Sequence, residues 1–313
     1  MQKLQGIFGP IPTFLNNEGF IDFDGNERSI KNLLETDIDG LFILGTTGEF
    51  PYFTMEEKKD YLNIVNTHLN QPKQIVCCVS HWTLKNAIEL TEFALEKGFK
   101  CISASLPLYF PISEEGIYEY YRVLRKTIDN YDASIPFIFY HIPVFSATID
   151  VKPEIIINLA DEGVIQGVNT STSDLEHCRQ IIENTSEDFS FLCGTESLLI
   201  QGYRDGKINT EFDGGIFSGA NIMPYTYKIL FQATIMENRD EFARIWPLVD
   251  EFISLFDHGL TYLPQITKYA MKIVGYEIED TVKSPLGVIN NRIQKQTISI
   301  IRSIQSFWGS MRI

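Results

Sequence analysis

The strongest constraint on the fold is a repeated alternation between short apolar runs and amphipathic stretches. The apolar runs are nearly continuous in Val, Ile, Leu, Phe and Cys, which is typical of parallel strands buried on both faces. Eight runs share this character: Gly6–Phe14, Gly40–Thr46, Gln74–Ser80, Cys101–Pro107, Pro136–Ile142, Val164–Asn169, Phe189–Gly194 and Gly214–Ser218. Four of the stretches between them predict helices: Glu56–His68, Leu84–Lys97, Glu115–Asp129 and Ser173–Ile182.

Eight strand-then-helix units in succession predict an α/β fold, a closed (β/α)8 TIM barrel, with an open doubly wound sheet as the alternative. Beyond Pro224 the pattern is helical only, in four segments: Tyr225–Glu237, Arg239–His258, Pro264–Val274 and Gly287–Phe307. We therefore expect residues 1–223 to form the barrel. Residues 224–313 would add the last barrel helix and a helical C-terminal extension to the same compact unit.

Local signals mark two of the helix starts. Thr54 and Glu57 have the spacing of a capping box, in which each side chain accepts a hydrogen bond from the backbone of the other residue. Pro153 suits the first turn of a helix, where no backbone N–H is needed.

The charge and cysteine content exclude several classes of partner. A net charge of −15 disfavours nucleic acids and anionic membrane surfaces. The five cysteines are an odd number, and most lie in apolar runs, so we expect buried reduced thiols. No apolar run is long enough to span a bilayer, and the N-terminal residues lack a signal-peptide pattern, so we expect a cytoplasmic location.

In a barrel of this kind the active site lies at the C-terminal ends of the strands. The second strand is followed by the segment Gly45-Thr46-Thr47-Gly48-Glu49, in which two glycines flank two hydroxyl side chains. Exposed backbone N–H groups of such a turn, together with the hydroxyls of Thr46 and Thr47, suit a carboxylate or another small anion. The alternative is a tight turn in which threonine serves only local hydrogen bonds.

Two tyrosines lie at the ends of neighbouring predicted strands. In the fifth strand, alternation places Tyr140 and Ile142 on one face and Phe139 and His141 on the other. Tyr140 could act as a proton shuttle or could be a buried phenol bonded to a backbone carbonyl, and we expect His141 to be a packing residue. Tyr109 follows the fourth strand at the same rim, where core or interface packing is the alternative role.

The sequence shows no ligand set for a metal or an organic cofactor. The five histidines have no ligand spacing, and the glycines form no dinucleotide-binding fingerprint after the first strand. We expect neither.

Taken together, the motifs resemble the pyruvate-dependent class I aldolases, the family that contains N-acetylneuraminate lyase, dihydrodipicolinate synthase and the 2-keto-3-deoxygluconate aldolases. The resemblance runs from Gly6 to about Leu286. The matching segments are Gly45–Glu49, Pro107–Pro111 with the following Ser113-Glu114-Glu115, Tyr140–Pro143, Gly167–Leu175, Gly194-Thr195-Glu196 and Ser218–Asn221. Gly-Thr-Thr-Gly-Glu alone is moderately specific, whereas the ordered set at matching spacing is highly specific.

The resemblance implies roles for the residues at these positions. Thr46, Thr47 and the adjoining Gly48 would hold the carboxylate of pyruvate, and Tyr140 would relay protons. Tyr109 would stand at a subunit contact of a homo-oligomer, a tetramer or a dimer. Glu196 and Ser218 match positions that touch the sugar chain in the lyases.

Within the family, the segment from Tyr140 to Ser146 is most similar to the sialic acid lyases. Phe145 stands where a dihydrodipicolinate synthase would have an arginine that grips a second carboxylate. Thr195, however, stands where the lyases have Asp, and Gly219-Ala220 is closer to the aldolases of keto-deoxy sugar acids. The second substrate therefore stays open between these classes.

At the position of the family's reactive lysine this chain has Asn169. An amide nitrogen is delocalised into its carbonyl and cannot form the Schiff base that makes these enzymes carbon–carbon lyases. Three explanations stay open: a replacement introduced to trap a substrate complex, a homologue that binds a 2-keto acid or sugar acid as a sensor or inactive partner, or a non-covalent reaction that uses Tyr140 and Asn169. A purely structural subunit without a ligand is a further hypothesis.

Overall fold

The eight strands form a closed parallel barrel in chain order, as the sequence pattern predicts. The computed structural model describes residues 3–70, 72–107, 109–145, 150–205 and 212–308. The strands are β1 (Gly6–Pro10), β2 (Gly40–Ile43), β3 (Gln74–Cys78), β4 (Ile102–Ala104), β5 (Phe137–His141), β6 (Gly167–Thr170), β7 (Ser190–Cys193) and β8 (Gly214–Ile216). The fold class is a TIM barrel, and the open-sheet alternative is wrong.

A helix follows each strand. The barrel helices are α1 (Phe23–Leu34), α2 (Met55–Asn66), α3 (Leu84–Glu96), α4 (Glu114–Asp132), α5 (Pro153–Asp161), α6 (Leu175–Glu183), α7 (Glu196–Asp205) and α8 (Pro224–Ile235). Both predicted helix starts are confirmed: Thr54 and Glu57 form a capping box, and Pro153 is the first residue of α5.

The strands are shorter than the apolar runs that predicted them. The first run was expected to extend to Phe14, but β1 ends at Pro10. Ile11 and Phe14 are nevertheless fully buried. An apolar run marks burial rather than strand pairing, so it continues into buried residues beyond the last ladder hydrogen bond.

By backbone proximity the chain divides into two units. The first unit contains Met1–Gly6 and Gln74–Phe217, and the second contains Ile7–Lys73 and Ser218–Ile313. The division expected from the sequence, at residue 223, stays a prediction.

In the first unit, the outer face of β5 packs on α4. The ring of Tyr121 stacks on Phe139 with centroids 4.2 Å apart, and the Tyr121 hydroxyl donates a hydrogen bond to the Ala104 carbonyl oxygen. His141 also contacts Phe139, with ring centroids 6.2 Å apart. Phe139 and His141 therefore share the helix-facing side of β5, as the alternation predicts.

In the second unit, the chain beyond α8 is helical, in agreement with the predicted extension. It contains α9 (Arg239–Ile253), α10 (Leu263–Ile273) and α11 (Asn291–Trp308). The segment predicted as one helix to His258 changes to a 3-10 helix at Ser254. The indole of Trp308 donates a hydrogen bond to the hydroxyl of Thr226, which fixes the end of α11 against α8.

The cysteines agree with the expectation of buried reduced thiols. All five are free and buried. Within the described part of the chain, no helix combines the length and the apolar character needed to cross a membrane.

The close approach of β8 to Gly6 gives a test of the barrel packing. A Cβ atom added to Gly214 would collide with the backbone of Gly6, which cannot move aside as a side chain can. We expect Gly214→Ala to lower the free energy of unfolding in urea by about 1–3 kcal/mol. A Cβ atom added to Gly116 of α4 would meet only side-chain atoms, so Gly116→Ala should change the free energy of unfolding by less than about 1 kcal/mol. Equal losses in the two variants would contradict this explanation of the packing.

Candidate functional site

In the second unit, the turn after β2 is held in an unusual backbone conformation. Leu44 and Glu49 have positive φ angles of 53° and 59°, values that side-chain-bearing residues rarely adopt. Gly48 lies close to the Ile11 carbonyl oxygen, and a Cβ atom there would approach it to 3.3 Å. The Thr13 hydroxyl donates a hydrogen bond to the Gly48 carbonyl oxygen over 3.1 Å. These contacts hold the turn against the segment from Ile11 to Thr13.

Two of the residues predicted for binding meet at this turn. The hydroxyl oxygens of Thr47 and Ser218 lie 2.9 Å apart, and Thr47 is buried while Ser218 and Thr46 are half-buried. Asn221 fixes the Ser218 segment, because its side-chain N–H group donates to the carbonyl oxygens of Ser218 and Pro10, each over 3.0 Å. Hydroxyl groups placed in this way can donate hydrogen bonds to a small anion.

Glu49, the last residue of the turn, forms a fully buried ion pair with Lys268 of α10. Its other carboxylate oxygen accepts a hydrogen bond from the Lys283 backbone N–H over 2.7 Å, and the Lys268 ammonium also donates to the Thr281 carbonyl oxygen over 2.7 Å. Burial lowers the pKa of Lys268, and the neighbouring Glu49 carboxylate opposes that shift. The ion pair ties the C-terminal helices to the turn.

The surroundings of the buried lysines show whether one of them could supply the amine that is absent at Asn169. Among the described residues, Lys58 and Lys268 are the lysines with fully buried side chains. Lys268 lies on a helix, as predicted from the sequence, and its amine is held by a carboxylate and a carbonyl oxygen. The Lys58 ammonium lies over the ring of Phe50.

In the first unit, β5 and β6 place Tyr140 beside Asn169. The two residues are paired in the strand register, so their side chains leave the barrel wall on the same face. Asn169 is 2% exposed, and its side-chain oxygen has no hydrogen-bond partner among the described residues. Gly194 lies against this amide, since a Cβ atom there would stand 3.0 Å from the same oxygen. The structure thus brings together the predicted proton-relay tyrosine and the amide at the lysine position.

The remaining predicted residues lie at the start of α7 and in the loop after β4. Glu196 is buried as the first residue of α7, and the Thr195 hydroxyl lies 3.1 Å from that of Ser197. Tyr109 is 78% exposed and has a φ angle of 100°. Its ring meets Phe110 edge-on. Leu108 and Ser146, which belong to the predicted motifs, lie outside the described residues.

A family model for the "Dihydrodipicolinate synthetase family" matches residues 3–304 of this chain. The chain belongs to the dihydrodipicolinate synthetase family.

Relatives in this family include known aldolases. The chain is 31% identical to the 2-dehydro-3-deoxy-D-gluconate/2-dehydro-3-deoxy-phosphogluconate aldolase of Picrophilus torridus over 210 residues, 65% of this chain and 76% of that aldolase. The sialic acid aldolase of Ruminococcus gnavus has the same fold, with a TM-score of 0.87 at 20% identity and coverage of 97% and 99%. A prophage protein of the family from E. coli K12, solved in complex with pyruvate, aligns with a TM-score of 0.86 at 22% identity over 96% and 98% of the two chains.

One cluster in this family member could not be found by motif spacing. His141, Asp150 and His177 come from three separate elements, and the structure brings their ligand atoms within 4.8 Å of one another. Burial lowers the pKa of His177, with a further contribution from His141. The interaction with His141 lowers the pKa of Asp150. His141 is buried, as expected of a packing residue, but packing alone does not explain why Asp150 and His177 lie beside it.

Because the Glu49–Lys268 ion pair is buried, we expect the loss of one partner to lower the free energy of unfolding much more than the loss of both. Lys268→Met leaves the Glu49 carboxylate buried without its cation, so we expect the free energy of unfolding in urea to fall by about 3–5 kcal/mol. Adding Glu49→Gln removes that charge and should recover much of the loss. Lys272→Met on the same helix removes ion pairs with Glu279 and Asp280 in which the ammonium is solvent-exposed, and it should cost under about 1 kcal/mol. A double variant no more stable than Lys268→Met would contradict the role given to the buried charge.

Proposed function

We propose that this protein binds a 2-keto acid or a sugar acid at the C-terminal ends of the barrel strands and does not form a Schiff base with it. The observation that carries the proposal is the position of Asn169: buried near the end of β6, in register with Tyr140, where the family resemblance places the reactive lysine. Family membership supports the type of ligand, and the amide argues against the covalent step.

Cleavage of a carbon–carbon bond beside a keto group needs an electron sink. In a class I aldolase the lysine amine condenses with the 2-keto group, and the resulting iminium accepts the electrons of the adjacent carbon–carbon bond. An asparagine side chain has no basic nitrogen for this condensation. The amine of Lys268 already holds Glu49 and the Thr281 carbonyl oxygen, so it is committed to the structure.

The carboxylate of the ligand is assigned to the Gly45–Glu49 turn. The constrained backbone and the paired hydroxyls of Thr47 and Ser218 support this assignment, since neither needs a net positive charge to hold an anion. The family relative from E. coli K12 was solved in complex with pyruvate, the smallest 2-keto acid that such a turn would take.

For the rest of the ligand we favour a sugar acid of the sialic acid lyase type. Phe145, which is partly exposed, stands where the synthases have an arginine, and the Tyr140–Phe145 segment is similar to the lyases. Glu196 and Ser218 would contact the sugar hydroxyls. Thr195 departs from the lyase pattern, and Gly219-Ala220 is closer to the aldolases of keto-deoxy sugar acids, so both classes belong in a ligand screen.

Two alternatives use the same pocket residues. A regulatory homologue would bind the ligand without turnover, whereas a non-covalent enzyme would use Tyr140 and Asn169 as hydrogen-bonding groups; the unpartnered oxygen of Asn169 favours a ligand contact at that position in either case. Detectable turnover of any keto acid or sugar acid separates the enzyme from the regulator.

We further propose a cytoplasmic homo-oligomer, a tetramer or a dimer. The exposed aromatic pair of Tyr109 and Phe110 supports a subunit contact. A monomeric mass by light scattering at micromolar concentration would contradict this part of the proposal.

Borohydride trapping tests the missing amine directly. The protein is incubated with pyruvate and borohydride, and its intact mass is measured. We expect no adduct on the chain with Asn169, an adduct on Asn169→Lys because that variant supplies the amine, and none on the control Asn169→Met. An adduct on the chain with Asn169 would overturn the non-covalent proposal, and a silent Asn169→Lys variant would mean that the pocket no longer takes a 2-keto acid.

The carboxylate turn is tested by ligand-dependent thermal stabilisation. A ligand present at about 100 times its Kd stabilises the native state by about 2.7 kcal/mol. Thr47→Val removes the hydroxyl paired with Ser218, and we expect the rise in melting temperature with pyruvate or N-acetylneuraminate to fall by more than half. Thr127→Val removes a hydroxyl that bonds only within α4 and should keep the full rise. Equal shifts in the two variants would place the ligand elsewhere.

A further inference from the structure

Two buried imidazoles and one carboxylate converge in the first unit, on the helix-facing side of β5. His141 ends β5, His177 lies in the first turn of α6, and Asp150 precedes α5. The imidazole rings stack at 5.0 Å with an angle of 10° between their planes. His141 and His177 are 2% and 6% exposed, whereas Asp150 is 48% exposed, so the cluster is enclosed on the histidine side and open to solvent at the carboxylate.

Hydrogen bonds do not account for the cluster. His141 Nε2 lies 3.1 Å and His177 Nδ1 lies 3.8 Å from the same carboxylate oxygen of Asp150. Within the described residues, however, neither His141 Nε2 nor His177 Nε2 has a hydrogen-bond partner of acceptable geometry. A buried polar atom without a partner costs about 1–3 kcal/mol, and several in one place call for a ligand that is not part of the chain.

The spacing of these atoms suits a single small cation. An ion at about 2.1 Å from each ligand holds tetrahedral ligand atoms about 3.4 Å apart. The two nitrogen-to-oxygen separations, 3.1 and 3.8 Å, lie on either side of that value, and all the ligand atoms lie within 4.8 Å of one another.

Thr170 of β6 supports this arrangement from behind. Its hydroxyl oxygen lies 2.8 Å from His141 Nδ1, which fixes the plane of the ring and directs Nε2 toward Asp150. Histidines that bind metals have such an outer partner on the second ring nitrogen. Strand β6 therefore orients the ligand that β5 carries.

We propose that His141, Asp150 and His177 bind one divalent transition-metal ion, Zn²⁺ or a close substitute. Two imidazoles and one carboxylate are a donor set for Zn²⁺, Co²⁺ or Ni²⁺, whereas Mg²⁺ and Ca²⁺ prefer oxygen ligands alone. The ion would join the end of β5, the segment before α5 and the start of α6, with its remaining coordination position open to water. The proposal is independent of the ligand assigned to the barrel mouth.

The competing explanation is a metal-free pair between His141 and Asp150. That pair can satisfy His141, but it leaves His177 Nδ1 3.8 Å from the carboxylate oxygen, beyond hydrogen-bond distance. The two explanations differ in whether a stoichiometric ion is bound and in which side chains its affinity depends on.

Metal titration of the full-length protein separates the two explanations. The protein is treated with a chelator, dialysed and titrated with Co²⁺, and bound Co²⁺ is then displaced with Zn²⁺. We expect one ion per chain, visible absorption bands of low-symmetry Co²⁺, and no thiolate charge-transfer band, since all five cysteines are buried outside the ligand set. Zn²⁺ should also raise the melting temperature by mass action.

Variants assign the ligands. His177→Ala and Asp150→Asn should each weaken Zn²⁺ binding at least about tenfold, and Thr170→Val should weaken it about 10–100-fold through loss of the outer contact. The control His258→Ala, which removes an imidazole bonded to Gln296 outside the cluster, should leave the affinity unchanged. Circular dichroism of the metal-free variants checks folding, and the exposed Asp150 keeps the test valid if His177→Ala does not fold.

Three results would overturn the proposal: no stoichiometric ion bound by the natural chain, an affinity that Asp150→Asn leaves unchanged, or a thiolate band showing that cysteines hold the ion.

Discussion

The parallel pairing of β5 with β6 is the constraint on which the rest of the first unit depends. The register sets Tyr140 beside Asn169 on one face and His141 beside Thr170 on the other. Because successive side chains of a strand point to opposite faces, one register supplies both the candidate pocket and the histidine cluster behind it. A shift by one residue would exchange the two sets.

The fold could be predicted from the sequence because its signal is local and repeated. Continuous apolar runs identify buried strands, and the caps at Thr54 and Pro153 identify helix starts. Strand ends were placed less well, since residues such as Phe14 are buried without being paired. Motif order located Thr47, Ser218, Tyr140 and Asn169, and the structure adds their partners: the hydroxyl pair in one unit and the strand register in the other.

Contacts between distant parts of the chain could not be predicted in this way. The Glu49–Lys268 ion pair joins the first and the last quarters of the sequence, a turn and a helix with no shared pattern. The cluster of His141, Asp150 and His177 likewise takes its residues from three separate parts of the chain. Such sets have no characteristic spacing, and only the packing of the helices against the strands brings them together.

Two sets of buried polar atoms without a hydrogen-bond partner among the described residues support different kinds of ligand: Asn169 Oδ1, and the Nε2 atoms of His141 and His177. Asn169 presents a neutral amide where covalent capture would need an amine, and its unpartnered oxygen supports a contact with a non-covalent ligand. The histidine cluster presents nitrogen lone pairs that suit a cation. In both places the buried polar group is costly by itself, which is why a ligand is the simplest explanation.

The most direct measurement is a crystal structure of the natural protein soaked with pyruvate. We expect a ligand whose carboxylate contacts the Thr46–Thr47 turn and whose 2-keto carbon is not bonded to any side chain. Continuous density between that carbon and a lysine nitrogen, or a ligand bound away from the turn, would contradict it.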